Sequence, residues 1–298
     1  MELRQLQSYV AVVKHKSFTK AAEELYISQP TISSHIRDLE ESLNQQLIIR
    51  TTKHLQITTA GLELFECAKQ ILSLQNNLLH RLGGHNGRML HIGASTIPTT
   101  YILPHILTKF CKLHKNFLFK VHQSDSSEVL QGLKRGEYDL AFSGMPCKEE
   151  SICCEPFFDD EMLIITPHNE HFLLYKTDGI EPYSLFYEEP VIIREEGSAS
   201  QKTADKIYEH LHLDKKKMKI VARVNEPESI KNFVSKGFGI SIISKIAVES
   251  YIKNGDILSF MLPAEIAGRK LYMLYHNYTI EDEFLNLFIQ FVKEEYAY

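Results

Sequence analysis

The chain has 298 residues, of which 44% are hydrophobic, so it is long enough for more than one domain and apolar enough for a packed core. Its formal net charge of -5 argues against a protein that coats nucleic acid along its whole length. Five cysteines are an odd number for a disulfide framework, and we expect reduced thiols.

The N-terminal segment carries no sign of export or membrane insertion. Its first ten residues, MELRQLQSYV, lack the apolar core of a signal peptide, and no stretch approaches the roughly 20 apolar residues that span a bilayer. We therefore expect a cytoplasmic protein with no membrane partner. The segment predicts an amphipathic first helix whose apolar face is formed by Leu3, Leu6, Tyr9, Val10 and Val13.

Two short helices around a tight turn are predicted next. Ser17 is a natural N-cap, and Ala21, Ala22 and Leu25 follow at helical spacing, which predicts a helix from about Phe18 to Leu25. The alanines are small where a second helix must approach closely. The pair is therefore typical of a helix-turn-helix.

The second helix of the pair presents a polar face near its N-terminus. Ser28 can cap this helix, and Pro30 is tolerated in the first turn because the N–H that it lacks has no intrahelical partner there. The apolar stripe consists of Ile32, Ile36, Leu39 and Leu43. The residues off this stripe are Gln29, Thr31, Ser33, Ser34, His35 and Arg37. Such side chains suit the reading of base edges in the major groove, although a three-helix bundle with a polar surface is an alternative interpretation.

Residues 47–58 contain two short apolar runs around a polar tip, which predicts a small β wing. The cations of this segment are Arg50, Lys53 and His54. Cations on a wing beside a recognition helix suit contact with phosphate or with the minor groove, and such contacts position a protein without specifying much sequence. A solvated basic hairpin remains the alternative for this segment taken alone.

Charge is distributed unevenly along the chain. Residues 1–88 contain ten Lys and Arg against eight Asp and Glu, a net charge of +2, so the remaining residues carry 23 against 30, a net charge of -7. A basic N-terminal part joined to an acidic body is typical of a DNA-binding head with a sensory domain.

The segment from residue 21 to residue 61 resembles the LysR family of bacterial transcriptional regulators. The resemblance rests on the order and spacing of Ala21-Ala22, Ser28-Gln29-Pro30, Ser33, Ile36, Leu39-Glu40, Leu47, Arg50 and Thr58-Thr59-Ala60-Gly61. Two positions depart from the family pattern: Ser34 stands where Arg is frequent, and Lys53 stands where Arg is common. Lys cannot supply the planar fork of Arg, so the resemblance does not extend to the detailed contacts of these two positions.

The resemblance implies a winged helix-turn-helix that binds double-stranded promoter DNA. Its groove-facing residues would be Gln29, Pro30, Thr31, Ser33, Ser34 and Arg37. Its contacts to the DNA backbone would come from Arg50, Lys53 and His54.

A long helix is predicted after the wing, capped by Thr58 or Thr59 and ending at Gly83-Gly84. Its apolar seam comprises Phe65, Ala68, Leu72, Leu79 and Leu82. Such a seam needs a partner helix, and a helix docked on its own domain is one possibility. The family resemblance implies instead a linker helix that dimerises antiparallel, in a homodimer or homotetramer.

From Met89 onward, strands alternate with helices. The predicted strands are Met89 to Gly93, Leu118 to Gln123, Asp139 to Ser143, Val191 to Arg194, Ile220 to Val224 and Ile240 to Ile243. The predicted helices are Tyr101 to Leu113, Ser127 to Arg135, Gln201 to Leu211 and Glu228 to Lys236. This alternation predicts parallel βαβ units with both sheet faces covered. Residues 155–167 and 255–275 look like extended runs that cross between two halves.

By resemblance, this α/β body is the two-lobed, periplasmic-binding-protein-like effector domain of the family. The expected organisation is a winged helix-turn-helix at 1–58, a linker helix and hinge at 59–88, and an effector-binding domain at 89–298. Lobe I would comprise about 89–162 and 268–298, and lobe II about 163–267.

Several predicted strands end in hydroxyl or glycine residues just before a helix, where open α/β sheets bind ligands. Helix N-termini at such junctions suit a small anion, although Ser and Thr also cap helices for structural reasons alone. The candidate effector-binding residues are Ser95, Thr96, Ser126, Ser143, Gly197 and Ser198. The GASTIPTTYILP segment resembles regulators that respond to sulfur-related or oxyanion metabolites.

Other classes of function have weaker support. Cys147, Cys153 and Cys154 could form a redox or metal site, yet no HExxH, CxxC, Walker or GxSxG pattern appears. We therefore expect no catalytic activity, no metal and no cofactor. Two alternatives to the regulator remain: a ligand-binding protein without a DNA role, and a thiol-based redox sensor that uses these three cysteines.

Overall fold

The computed structural model describes residues 1–50, 55–82, 88–115, 117–178, 182–277 and 282–296. The chain separates into an N-terminal unit, Met1–Arg88 with Lys134–Glu137, and a C-terminal unit, Met89–Leu133 with Tyr138–Tyr298. Within the described ranges, no helix combines the length and the apolar character needed to cross a membrane.

The N-terminal unit begins with three helices, α1 (Leu3–His15), α2 (Phe18–Leu25) and α3 (Gln29–Leu43). The predicted caps of α2 and α3 are confirmed, since Ser17 Oγ accepts a hydrogen bond from Lys20 N and Ser28 Oγ accepts one from Thr31 N. Both helices start where their capping serines satisfy otherwise unpaired N–H groups.

The core of the N-terminal unit confirms most of the predicted apolar stripe of α3. Ile32, Ile36 and Leu39 are fully buried and pack with residues of α1. Leu43 does not continue the stripe, since 37% of its surface is exposed. The reason is that α3 ends at this residue and Asn44, with φ 49°, turns the chain away in the left-handed conformation.

The predicted wing is present as two paired strands, β1 (Ile48–Arg50) and β2 (Leu55–Ile57). They are antiparallel, with Ile48 opposite Ile57. Residues 51–54, which include the predicted contacts Lys53 and His54, lie outside the described residues, as does the side chain of Arg50.

The long helix α4 (Thr59–Leu82) follows the wing directly. Of the two predicted caps, Thr58 acts: its Oγ1 accepts from Gly61 N at 2.9 Å and donates to Gln46 O at 2.8 Å. Gly61 is required at this junction, because a Cβ there would lie 2.4 Å from the carbonyl oxygen of Leu47. The base of the wing and the start of α4 therefore form one close-packed corner.

The C-terminal unit is an α/β structure. Its strands are β3 (Arg88–Ser95), β4 (Phe117–Ser124), β5 (Leu140–Ser143), β6 (Ile152–Pro167), β7 (Pro190–Arg194), β8 (Lys219–Val224), β9 (Ser241–Ser244), β10 (Ile257–Met261) and β11 (Gly268–His276). Its helices are α5 (Leu103–Leu113), α6 (Ser126–Lys134), α7 (Glu170–Thr177), α8 (Leu185–Glu188), α9 (Ala199–His210), α10 (Pro227–Ser235), α11 (Lys245–Asn254), α12 (Ala264–Ala267) and α13 (Glu283–Glu295). A π-helix, Pro98–Ile102, precedes α5.

The long strand β6 divides this unit into two lobes. Residues 152–161 of β6 pair with β11, whereas residues 162–167 pair with β9 and β10. We name the side of β3, β4, β5 and β11 lobe I, and the side of β7, β8, β9 and β10 lobe II. The predicted two-lobed α/β architecture is thus confirmed, and its parallel pairs are β3 with β5 and β7 with β8. Residues 155–167, which the sequence set apart from the parallel units as a run crossing between two halves, belong to β6, and this strand is antiparallel to β9, β10 and β11.

Candidate functional site

A shallow groove of about 650 Å³ lies between the exposed face of α3 and the wing in the N-terminal unit. Its lining residues are Gln29, Pro30, Ser33, Ser34, Arg37, Glu40, Gln46, Ile48 and Ile49. Five of the six residues predicted to face the DNA groove are therefore neighbours on one surface. Their amide, hydroxyl and guanidinium groups can donate and accept hydrogen bonds as base edges require.

Hydrogen bonds and ion pairs between the side chains of this face hold some of them in place. Gln29 Nε2 donates to Ser33 Oγ at 2.9 Å, and Ser34 Oγ donates to Asp38 at 3.3 Å. Arg37 is 67% exposed and makes looser ion pairs, the nearest with Asp38 at 3.8 Å. The guanidinium is thus free to exchange these long contacts for an anionic partner in solution.

Two polar residues of α3 have structural partners. Thr31 Oγ1 lies 2.8 Å from Ser28 Oγ, so this predicted contact residue belongs to the helix cap and does not line the groove. His35 Nδ1 lies 2.7 Å from Ser8 Oγ of α1, a contact that joins the two helices.

Glu40 also lines the groove, although it was not among the predicted DNA-contacting residues. Its Oε1 accepts hydrogen bonds from the backbone N–H groups of Leu47, at 2.8 Å, and Ile48, at 3.0 Å. One carboxylate therefore ties the wing to the recognition helix. Little in the sequence indicated this role, because an acidic residue near a helix end is ordinarily expected to be exposed to solvent.

The predicted seam of α4 has two environments. Ala68 is fully buried in the core of the N-terminal unit, and Phe65 and Leu72 pack against that core. This burial argues against contact of Ala68 with a second chain. Leu79 is 58% exposed, and the side chain of Leu82 lies outside the described residues. Exposed apolar residues elsewhere on α4 are Leu62, Leu74 and Leu78.

A small cavity of about 20 Å³ lies between the two lobes of the C-terminal unit. Its lining residues are Ser95, Thr96, Ile97, Asp125, Ser126, Gly144, Arg194, Glu195, Ser198, Ala199, Ser200, Arg269 and Leu271. Four predicted effector residues, Ser95, Thr96, Ser126 and Ser198, thus meet in one cavity.

Two helix N-termini, one from each lobe, open on this cavity. Helix α6 of lobe I begins at Ser126, and α9 of lobe II begins at Ala199 with Ser198 as its N-cap. The side chain of Ser198 makes no capping hydrogen bond, so its hydroxyl is available to a ligand. The N-terminus of α6 is capped by the carboxylate of Asp125, so the partial positive charge of α9 and the hydroxyl donors are the groups that suit a small anion.

The two remaining predicted residues stand next to the lining. Ser143 is fully buried, and its Oγ accepts from Met145 N at 3.1 Å, while the adjacent Gly144 lines the cavity. Gly197 has φ +91° and packs against Asp125, where a Cβ would lie 3.3 Å from the carboxyl group. Both residues shape the backbone beside the cavity.

Arg269 was not found by sequence reasoning, yet it lines the cavity, and its charge is paired with the buried carboxylate of Asp160. Its side chain is 94% buried, since 6% is exposed. Nη1 donates to Ser200 Oγ at 2.9 Å and Nε donates to Asp160 at 2.8 Å. Nη2 touches Asp160 at 2.7 Å without hydrogen-bond geometry and finds no hydrogen-bond acceptor among the described residues. A buried donor of this kind favours a ligand oxygen as its partner.

Arg194 and Asp125, which also line the cavity, are likewise paired within the protein. Arg194 donates to Glu195 at 2.8 and 3.0 Å and to the carbonyl of Asn225 at 2.7 Å. Asp125 accepts from the backbone N–H groups of Ser127 and Glu128 at the start of α6. Repulsion of an anion by Glu195 is therefore offset by Arg194 beside it.

The three cysteines of the alternative sensor lie outside this cavity. The backbone N–H of Cys147 donates to Cys154 Sγ at 3.3 Å, and Cys153 Sγ donates to Asn277 Oδ1 at 3.0 Å. Burial raises the pKa of Cys154, which lowers its reactivity as a thiolate. Within the described part of the chain, no group of three or more His, Cys, Asp or Glu is arranged to hold a metal ion.

Two curated relatives are similar to most of the chain. A probable RuBisCO transcriptional regulator of Trieres chinensis is 31% identical over 258 residues, which cover 84% of this chain and 83% of the relative. The HTH-type transcriptional regulator CysL of Bacillus subtilis is 29% identical over 98% of this chain and 96% of its own length.

Solved structures share the fold over almost the full length. The LysR family transcriptional regulator CbnR has a TM-score of 0.71 at 18% identity and covers 100% of both chains. A full-length OxyR variant of Pseudomonas aeruginosa has a TM-score of 0.70 at 18% identity, over 98% of this chain and 95% of the other.

Family models account for both units. The bacterial regulatory helix-turn-helix protein of the LysR family matches residues 3–62, and the LysR substrate binding domain matches residues 83–297. The first match contains the α3 groove, and the second contains the interlobe cavity. The chain therefore belongs to the LysR family of bacterial transcriptional regulators, with a DNA-binding helix-turn-helix and an effector-binding domain.

Proposed function

We propose that this regulator reads promoter DNA with the α3 groove and changes its promoter binding when a small anion occupies the interlobe cavity. The observation that carries the proposal is the meeting of the N-terminus of α9, four predicted hydroxyl residues and Arg269 in one small cavity. We further propose that the protein acts in the cytoplasm, where bacterial promoters lie, and that it catalyses no reaction.

Specificity for DNA would come from the N-terminal turn of α3. Gln29 and Ser33 can pair with base edges, whereas the cations of the wing contact phosphates. Phosphate contacts make affinity for any duplex fall steeply with salt, and each good bidentate base contact adds about 1 to 3 kcal/mol of discrimination. The two kinds of contact are therefore separable by mutation.

The effector would be a small oxyanion. A cavity of about 20 Å³ holds one group of roughly the size of a water molecule, so a larger metabolite would require the lobes to separate. Hydroxyl donors, the N-terminus of α9 and the Nη2 group of Arg269, which makes no hydrogen bond beyond its ion pair with Asp160, favour negatively charged oxygen atoms. Sulfur-related oxyanions fit this chemistry and the resemblance of residues 93–104.

Oligomerisation would couple the two sites. The exposed leucines of α4, Leu74, Leu78 and Leu79, supply an apolar surface for a second copy of the helix in a homodimer, or in a tetramer of two dimers. Effector binding would change the spacing of the DNA-binding heads. A coupling of about 1 to 3 kcal/mol between such sites changes promoter occupancy severalfold.

The DNA arm of the test is a fluorescence-anisotropy titration of the protein on its own upstream intergenic DNA and on scrambled DNA. We expect preference for the upstream duplex, and we expect Gln29→Ala to relax that preference while Gln7→Ala, an exposed glutamine of α1, leaves it unchanged. Equal affinity for both duplexes at moderate salt would contradict the DNA-reading role.

The effector arm repeats the titration with sulfate, thiosulfate and O-acetylserine. Ser198→Glu, which places a carboxylate in the cavity, should abolish the ligand-dependent shift and keep DNA binding, whereas Ser250→Glu, on an exposed serine of α11, should preserve both. Because Ser198 is buried, Thr96→Val serves as a second variant that removes a cavity hydroxyl with little change of shape. A normal ligand response in both cavity variants would mean that the effector binds outside this cavity.

A further inference from the structure

A cluster of polar side chains joins the two lobes at a distance from the cavity lining. Tyr101, at the end of the π-helix in lobe I, donates its hydroxyl to Glu228 Oε1 of α10 in lobe II at 2.6 Å. Lys231 Nζ of α10 reaches the same Glu228 oxygen at 2.6 Å and the Tyr101 hydroxyl at 3.3 Å. These three residues form what we name the interlobe latch.

Lys231 is a buried cation that has both hydrogen-bond acceptors and aromatic rings around its ammonium group. It is 1% exposed, and its Nζ donates to the carbonyl oxygen of Ala247 at 2.7 Å as well as to Glu228. The ammonium also lies 5.3 Å from the ring centre of Tyr101 and 4.6 Å from that of Tyr251. A buried ammonium is costly unless it is paired in this way, so these partners are held close together.

The ionisation states keep the latch closed near neutral pH. Burial, together with the bond to Glu228, raises the pKa of Tyr101, so the phenol stays protonated and can donate. Burial alone would raise the pKa of Glu228, but the hydrogen bonds from Lys231 and Tyr101 outweigh it and hold this pKa below its ordinary value. Glu228 therefore remains a carboxylate that accepts both bonds.

The latch is connected to the cavity through a short irregular segment. The π-helix Pro98–Ile102 starts two residues after Thr96, and Thr99 Oγ1 donates to the carbonyl oxygen of Ser95 at 3.0 Å. The backbone that presents Ser95 and Thr96 is thereby tied to the helical turn that presents Tyr101. Single π-helical turns inside α-helices are uncommon and are frequent at functional sites.

We propose that Tyr101 is a positioning residue for effector binding: its bond to Glu228, supported by Lys231, adds to the apolar core that joins the lobes and fixes Ser95 and Thr96 against lobe II. The functional part of this inference rests on the proposed effector site, whereas the closure itself does not. Loss of the bond would raise the fraction of molecules with open lobes. Because the closed cavity holds only a water-sized group, the bond also sets how readily the lobes separate to admit a larger effector.

The test is hydrogen–deuterium exchange of the full-length protein without DNA or effector. Tyr101→Phe removes one hydroxyl and keeps the ring over Lys231. We expect exchange of residues 95–102 in lobe I and of residues 198–202 in lobe II to rise together by about tenfold, the size expected for the loss of one hydrogen bond to a charged group.

Tyr251→Phe is the matched control, since its hydroxyl donates to Asn232 Oδ1 at 3.1 Å within lobe II. It should leave exchange on both sides of the cavity unchanged. Glu228→Gln removes the acceptor of the Tyr101 bond and also the carboxylate that neutralises buried Lys231, so it should raise exchange at least as much as Tyr101→Phe.

The outcomes separate this inference from the proposed function. If Tyr101→Phe shows faster exchange only in α10, or no faster exchange at all, the latch is overturned. This holds even if the protein responds to an anion on promoter DNA. Paired faster exchange in both lobes supports the latch whether or not any anion tested shifts DNA binding.

Discussion

Tyr9 shows how one side chain supports the N-terminal unit. It is fully buried in α1, and its hydroxyl donates to the carbonyl oxygen of Gly61 at 2.7 Å, at the corner where α4 leaves the wing. Burial and the nearby carboxylate of Glu40 raise the pKa of Tyr9 to about 12. The neutral phenol is therefore part of the folded state.

Tyr9→Phe should destabilise the N-terminal unit by about 1 kcal/mol near neutral pH, since it removes one buried hydrogen bond. Because the folded-state pKa lies above the ordinary value of 10.0, the stabilisation by Tyr9 is complete below pH 10 and is lost as the pH rises toward 12. The stability gap between wild type and variant should narrow over this range.

The free energy of unfolding is measured in a urea titration that is followed by amide exchange of α1. Exchange of α1 reports on the N-terminal unit alone. Tyr26→Phe provides the control, because Tyr26 is 96% exposed and its hydroxyl should not affect stability. A gap that stays constant between pH 9 and pH 12 would contradict a stabilising role for the neutral Tyr9 phenol.

At the scale of elements, the wing depends on α3 as well as on its own short ladder. The strands β1 and β2 pair over three residues each, which is too few for independent stability. Two of the partly buried N–H groups at the start of the wing are satisfied by Glu40 of α3. The recognition helix and the wing are therefore positioned as one surface.

Glu40→Ala should leave the N–H groups of Leu47 and Ile48 without their acceptor, at a cost of about 1 to 3 kcal/mol. We expect faster exchange of these two amides and a similar loss of affinity for all DNA sequences, because the wing contributes positioning contacts. Glu41→Ala is the control, since Glu41 is 71% exposed and forms a long ion pair with Arg37. Loss of sequence discrimination without loss of affinity would argue against this role.

At the scale of the whole molecule, the regulator proposal requires a second copy of the chain. The exposed part of the α4 seam is centred on Leu79, while Ala68 is buried within the N-terminal unit. An apolar surface on a long helix is stabilised by covering it with another helix.

Leu79→Glu should therefore shift the protein toward a single chain of 34.4 kDa, as measured by light scattering after size-exclusion chromatography. Leu174→Glu is the control, because Leu174 of α7 is also exposed, at 61%, but lies outside the predicted seam. An unchanged mass for Leu79→Glu, at concentrations where wild type dimerises, would place the dimer contact elsewhere.

Local sequence determined the helices of the N-terminal unit with little error. Ser17 and Ser28 define helix starts through bonds to N–H groups three residues away, and the spacing of Ile32, Ile36 and Leu39 defines the buried face. These signals lie within one or two helical turns, so a reader of the sequence has all the interacting parts. The same holds for most strands of the C-terminal unit, whose apolar runs predicted their positions to within a few residues; the exception is residues 255–275, where one predicted extended run is two strands separated by α12.

Tertiary structure decided how distant residues combine. Three pairs illustrate this: Glu40 with Leu47, Arg269 with Asp160, and Tyr101 with Glu228, which are separated by 7, 109 and 127 positions. In the sequence alone, the carboxylates of Glu40 and Asp160 look solvent-facing. The antiparallel pairing of β6 was also hidden, because strand direction depends on how the chain returns. Sequence by itself therefore determined which segments form helices and strands and where serine residues follow the strands. Packing decided which charges are neutralised, which leucines stay exposed and how the lobes are held together.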